Sequence, residues 1–184
     1  RLSYSTRLVA ALFALLLLMN VGLSSAFAAA PGWPGAMNNT ALQKALRLRT
    51  EDMREVAKRV ALAEEYNTAV KGVIADLQTK VPDSECLCNA QAKFVHKLRH
   101  IEVQLATANQ LLATHPGFDA KGKVVDRVTA RVTISKLNSL RKEIWAYGGD
   151  LYANMHRGFT SFEDMYPDVV FVEPTRPTQR SLIS

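Results

Sequence analysis

The chain has 184 residues and is 48% apolar, enough for one domain with an appendage and a buried core. Its net charge is +6, of which Arg1 and Arg7 supply two ahead of the first apolar run, so residues 31–184 carry only +4, spread out. There is no block of five like charges and no basic stretch interleaved with aromatics, which argues against nucleic acid as a partner.

The first element is an apolar run. Arg1 and Arg7 precede Leu8–Met19, twelve apolar residues without interruption, and the run closes on Ser24-Ser25-Ala26-Phe27-Ala28. A cationic start, an apolar middle and an Ala-x-Ala end are the anatomy of a secretory signal, with cleavage after Ala28. Length points the other way. Leu8–Ala30 is 23 residues without a charge, and as a helix it would reach about 34 Å, enough to cross the hydrocarbon. Pro31, Gly32, Pro34 and Gly35 would stop that helix, and Trp33 stands where an interfacial aromatic belongs. The leading expectation is that residues 1–30 hold a retained single-pass anchor touching lipid through residues 8–30; a cleaved signal is the alternative. Lys44 is the first charge after the run. The positive-inside rule then puts residues 31–184 on the trans side, in a thylakoid lumen, an intermembrane space or a periplasm.

Residues 31–39 read as a Pro/Gly linker into a helix start at Asn38, Asn39 and Thr40. Asn38-Asn39-Thr40 also fits the N-glycosylation pattern, which has meaning only on a eukaryotic secretory route. A helical bundle is expected over residues 40–157. The apolar seam of its first helix runs Leu46, Met53, Val56, Val60, Ala63, Val70, Ile74, Leu77 and Val81. Arg49 and Asn67 are the polar exceptions, Gly72 a weak point, and Pro82 the stop. This helix is the longest, so part of its seam is expected to overhang the bundle.

Asp83 or Ser84 is placed to cap a second helix, whose seam is Leu87, Ala90, Phe94, Leu98, Ile101, Leu105, Ala108 and Leu112. His115-Pro116-Gly117 closes it. A third helix is expected from about Asp119, with Val125, Val128, Val132, Leu137, Leu140, Ile144 and Tyr147 as its seam. The β-branched stretch VVDRVTARVTI leaves a strand open there, but its length and flanks favour a helix. Gly148-Gly149 breaks it. A short turn from Asp150 to His156 and another near Ser161 and Asp164 follow, and residues 158–184 read as a turn with an extended tail interrupted by Pro174 and Pro177.

Amphipathic segments joined by short Pro/Gly turns make an all-α fold: an N-terminal transmembrane or signal helix, then an antiparallel three- to four-helix bundle with an extended C-terminal tail. In architecture alone this resembles the exported bundles that sit on larger membrane assemblies, such as extrinsic lumenal photosystem subunits of the PsbQ type. That resemblance implies an extrinsic docking role and carries over no residue.

Candidate chemistry is sparse. Cys86-Leu87-Cys88 reads as a disulfide of some kind, as half-buried free thiols, or as a redox or metal pair; two thiolates fall short of a four-ligand zinc site. His96 and His100 are four apart, so one helix face can hold both as a weak ligand pair, although they lie beside the seam among Lys93, Lys97 and Arg99. His115 reads as helix-end chemistry and His156 as surface. No Ser/His/Asp arrangement, glycine-rich phosphate loop or paired acidic motif is present, and no cofactor or small-molecule substrate is implied.

Aromatics crowd the C-terminal part. Trp145, Tyr152, Phe159, Phe162, Tyr166 and Phe171 stand either as an interface or as a cap on the bundle core. The tail's Val169-Val170-Phe171-Val172 needs an apolar surface. The expectation is that it lies on a partner subunit with Arg176 and Arg180 near acidic groups. The functional expectation is a non-enzymatic accessory subunit of a membrane complex, docking through Trp145, Tyr152, Phe159, Phe162, Tyr166, Val170, Phe171, Arg176 and Arg180. The alternative is a signal-cleaved soluble binding, extrinsic or pilus- or secretion-associated protein, and a redox or metal protein built on Cys86 and Cys88 comes third.

Overall fold

Four helices form in the computed structural model, which describes residues 37–82 and 84–177: α1 (Asn39–Lys80), α2 (Glu85–Thr114), α3 (Arg127–Gly148) and α4 (Ala153–Met165). The apolar run 8–30, Asp83 and Arg180 lie outside the described residues. No helix among those described is long and apolar enough to cross a membrane.

α1 begins where the Asn38 side chain accepts the Ala41 amide at 2.8 Å. It runs 42 residues without interruption through Gly72, where the space around a side chain would be open. The expected seam is its buried stripe as far as Leu77: Leu46, Met53, Val56, Val60, Ala63, Val70, Ile74 and Leu77 are all buried, while Val81 is the C-cap and only partly covered. The two polar exceptions each find a partner, although the buried Nε of Arg49 has none. Arg49 pairs with Asp52 at 3.1 Å, and Asn67 accepts a hydrogen bond from Gln91 of α2 at 3.2 Å. Pattern reading omits Leu42, Arg59 and Tyr66, which are also buried.

α2 lies antiparallel to α1 and packs on every other helix. Its seam from Leu87 to Ala108 is buried as expected, and Leu112 is partly covered. Ser84 holds the N-cap position, but its buried hydroxyl caps nothing.

The start of α3 corrects the expected register. Val125, Val128 and Val132 are 70%, 69% and 49% exposed, while Ala130, Thr133, Ile134, Leu137 and Ile144 are buried. Two local constraints set this. Asp126 caps the helix by accepting the Val128 and Thr129 amides at 3.0 and 3.3 Å, so the first turn starts at Arg127. The incoming loop then presses on the inner face: a Cβ on Gly117, whose φ is +87°, would stand 2.2 Å from the Ala130 nitrogen, and the Thr133 hydroxyl donates to the Pro116 carbonyl at 2.8 Å. The close approach calls for a small residue at Ala130 and the Pro116 carbonyl for a donor at Thr133, and the valines turn outward. No strand forms from VVDRVTARVTI; an isolated antiparallel bridge between Phe118 and Val124 pins the loop.

That loop also removes the expected overhang of α1. Gly122 sits against Leu46, and Arg127 donates to the Met37 carbonyl at 3.1 Å, so Leu42 at the start of α1 is fully covered.

Beyond Gly148-Gly149 the two expected turns are one helix, α4, which crosses position 157 where the bundle was expected to end. α3 and α4 pack on successive parts of α2, so together they form a broken third rod. Direct contact between α1 and α4 is slight. The tail lies on α4, with the Glu173 charge acting on Tyr66 of α1. It leaves α4 at Tyr166, without regular structure, and runs back along it: Phe171 meets Phe159 and Phe162 at ring-centre distances of 5.6 and 5.7 Å, and Glu173 reaches His156 at 3.0 Å. Val169 and Phe171 are partly buried on the chain's own core, whereas Val170 and Val172 are 85% and 81% exposed. The expectation that the whole VVFV segment lies on a partner is corrected for its inward half, because an extended segment alternates its side chains and one face already has a home.

Candidate functional site

The two cysteines lie on the first turn of α2 and are not joined in a disulfide. Both are half-buried, and the Cys88 sulfur lies 3.5 Å from the Gln78 side-chain amide of α1. Positions two apart on a helix do not face each other, which keeps the sulfurs from closing a ring. Among the described residues no group of three or more His, Cys, Asp or Glu could hold a metal ion.

His96 and His100 are engaged differently. The His100 ring stacks on Tyr147 of α3 at 3.8 Å, with Gln104 at 3.4 Å and Glu143 at 3.9 Å. His96 is exposed and lines a groove with Lys93 and Asn154. Between their levels, Lys97 grips Asp150 at 2.6 Å, and this bond holds the Asp150 carboxyl below its usual range. The arrangement fastens the α3–α4 corner to α2.

The aromatic residues divide into two sets. Phe159 and Phe162 are buried in the bundle's own core, and Tyr152 and Tyr166 are half-covered, so the interface expected of Phe159 and Phe162 is taken up internally. Tyr66, Phe94 and Tyr152 form a ring cluster with centres 5.1 to 5.6 Å apart where the three rods meet. Burial pushes the Tyr152 hydroxyl up to about 12, and burial followed by the charge of Glu173 raises that of Tyr66 further. Outward stand Trp145, 49% exposed with the Arg141 guanidinium 5.6 Å over its ring, and Val170 and Val172 on the tail. Arg176 is exposed beside Asp150 in a groove at the α3–α4 corner.

One feature escaped pattern reading. At the end of the bundle that carries Met37, an open groove of about 680 Å³ is lined by Lys44, Arg47, Arg54, Lys121 and Lys123, with Glu51 as the acidic member. Val125 and Val128 protrude beside the same loop. These cations are scattered through the sequence, so only the fold collects them; the N-cap signal at Asp126 is what could have shown that the valines face out.

The chain matches no protein-family model, no curated protein and no solved structure.

Proposed function

We propose that the protein is a non-enzymatic accessory subunit of a membrane complex, anchored through residues 8–30, with the bundle on the trans side docking on partner subunits. The observation that supports this most is the uncharged 23-residue run preceded by Arg1 and Arg7 and joined by a short Pro/Gly linker to an all-helical bundle. A run of that length satisfies its backbone inside a bilayer as a helix. Trp145, Val170, Val172 and Arg176 are outward-facing groups able to meet a partner, since exposed aromatic and apolar side chains gain most from being covered.

The test is fractionation of the native protein followed by native electrophoresis. It should stay with the membrane through carbonate and salt and leave only in detergent, migrating within a larger assembly. Release by carbonate sinks the anchor. The second reading is a soluble exported subunit, favoured by Ala26-Phe27-Ala28; it requires an intact mass that starts at Ala29.

A further inference from the structure

We infer that the basic end of the bundle, built from the start of α1, the 117–126 loop and the start of α3, rests on the headgroups of an anionic bilayer. The inference builds on the reading that residues 8–30 span a membrane.

Chain length supplies the first argument. Arg127 ties the Met37 carbonyl to this end of the bundle. Only residues 31–36 separate Ala30 from Met37, and seven such steps reach at most about 25 Å. An anchored span therefore holds this end, and not the opposite one, against the bilayer.

Charge supplies the second. Residues 37–54 and 114–132 hold eight Lys or Arg against four Asp or Glu. Three of the four acids are already occupied. Asp52 accepts Arg49 and Arg141, Asp119 accepts the Lys121 and Lys123 amides, and Asp126 caps α3. Lys44, Arg47, Lys121, Lys123 and Arg127 remain exposed. The far end has the opposite sign. In the last two turns of α1, the first turn of α2, the last turn of α4 and residues 166–168, Asp76, Glu85, Glu163, Asp164 and Asp168 stand against Lys80. The bundle is thus polarised along its length, positive where the tether emerges, and cations close to anionic headgroups are each held there.

The third argument is apolar. Val125 and Val128 project beside the cations at 70% and 69% exposure. A free polyanion in solution would satisfy the lysines and leave the valines in water. A bilayer surface takes both, phosphates against the basic side chains and valines at the headgroup–acyl boundary.

The experiment uses the full chain in lipid nanodiscs, with phosphatidylcholine alone or mixed with phosphatidylglycerol, and reads amide hydrogen exchange over residues 117–132. Exchange should slow in the anionic discs relative to the neutral ones. About 1 M salt should abolish the difference, since it cuts the screening length to about 3 Å. Lys121→Glu with Lys123→Glu, on an exposed loop, should weaken docking by at least about fivefold per charge while leaving the melting curve in place. A chain that resists carbonate extraction from the discs but exchanges identically in both lipids overturns the inference and leaves the anchor standing. A chain that carbonate removes overturns the anchor, and the inference with it. Protection that follows protein concentration and ignores lipid charge assigns the surface to a second copy, which also overturns it.

Discussion

Gly158 shows how a single residue sets the distance between two helices. A Cβ there would stand 2.5 Å from the Ala90 methyl group of α2, with the Met155 side chain at 3.7 Å. The close approach is what lets Phe159 and Phe162 reach the core. Gly158→Ala therefore loses stability although alanine is the better helix former; the expected cost is about 1–3 kcal/mol of overpacking. Ala90→Gly should restore part of it, and a double-mutant cycle by denaturant unfolding reads the coupling; purely additive effects would show that the two do not touch. The hydroxyl of Tyr152 makes a second residue-level case. Its pKa in the fold, about 12, lies above that of an exposed tyrosine, about 10. The folded state then holds the proton more tightly than the unfolded one, so its contribution is fully present below pH about 10 and is lost as pH climbs through about 12. The melting temperature should fall over that alkaline window, and Tyr152→Phe should flatten the fall. An unaltered slope would place the sensitivity elsewhere.

At the scale of elements, the tail is a structural member of the bundle, packed on α4 and against the common core. Phe171 carries that role through its contacts with Phe159 and Phe162. Phe171→Ala should cost about 2 kcal/mol, from partial burial and two ring pairs. In a domain of this size that lowers the melting temperature by about 4–8 °C; deletion of residues 168–184 should do at least as much, and an unchanged melt would mean that the tail is not held. The two long helices were legible from sequence because their partners demand large apolar side chains at steps of three and four, as at Phe94, Leu98 and Ile101. The start of α3 was not. Its inner face meets the backbone of the 115–117 turn, which takes a small residue at Ala130 and a hydroxyl donor to the Pro116 carbonyl at Thr133, so hydrophobicity pointed to the wrong stripe. α4 was hidden because the stretch after Gly148-Gly149 reads as two separate capped turns, whereas Gly158 between them is a contact that lets one helix run through. The aromatic cluster was visible as composition, but burial of Phe159 and Phe162 against exposure of Trp145 depends on a helix direction that spacing alone does not supply. The basic end was invisible because its cations come from two segments brought together by the fold.

Over the whole molecule, one face of the tail belongs to stability and the other is free for docking, and this separation can be tested. Val169, Phe171 and Glu173 point inward, and Val170 and Val172 point out. The outward pair gain almost nothing from the chain's own core, so charging them should leave the fold alone. Val170→Asp with Val172→Asp is expected to shift the melting temperature by less than about 2 °C, as for surface positions in general. If the accessory-subunit reading holds, the same variant should leave the larger assembly on a native gel while remaining in the membrane fraction, because the anchor is intact and only the docking face has changed. Phe171→Ala gives the complementary pattern, with lower stability and the outward valines kept. A doubly charged tail that still migrates with the assembly would move the partner surface to Trp145 and Arg176, or abolish it. A doubly charged tail that melts early would show that the outward valines are covered by the protein itself, and the tail would then belong wholly to the bundle.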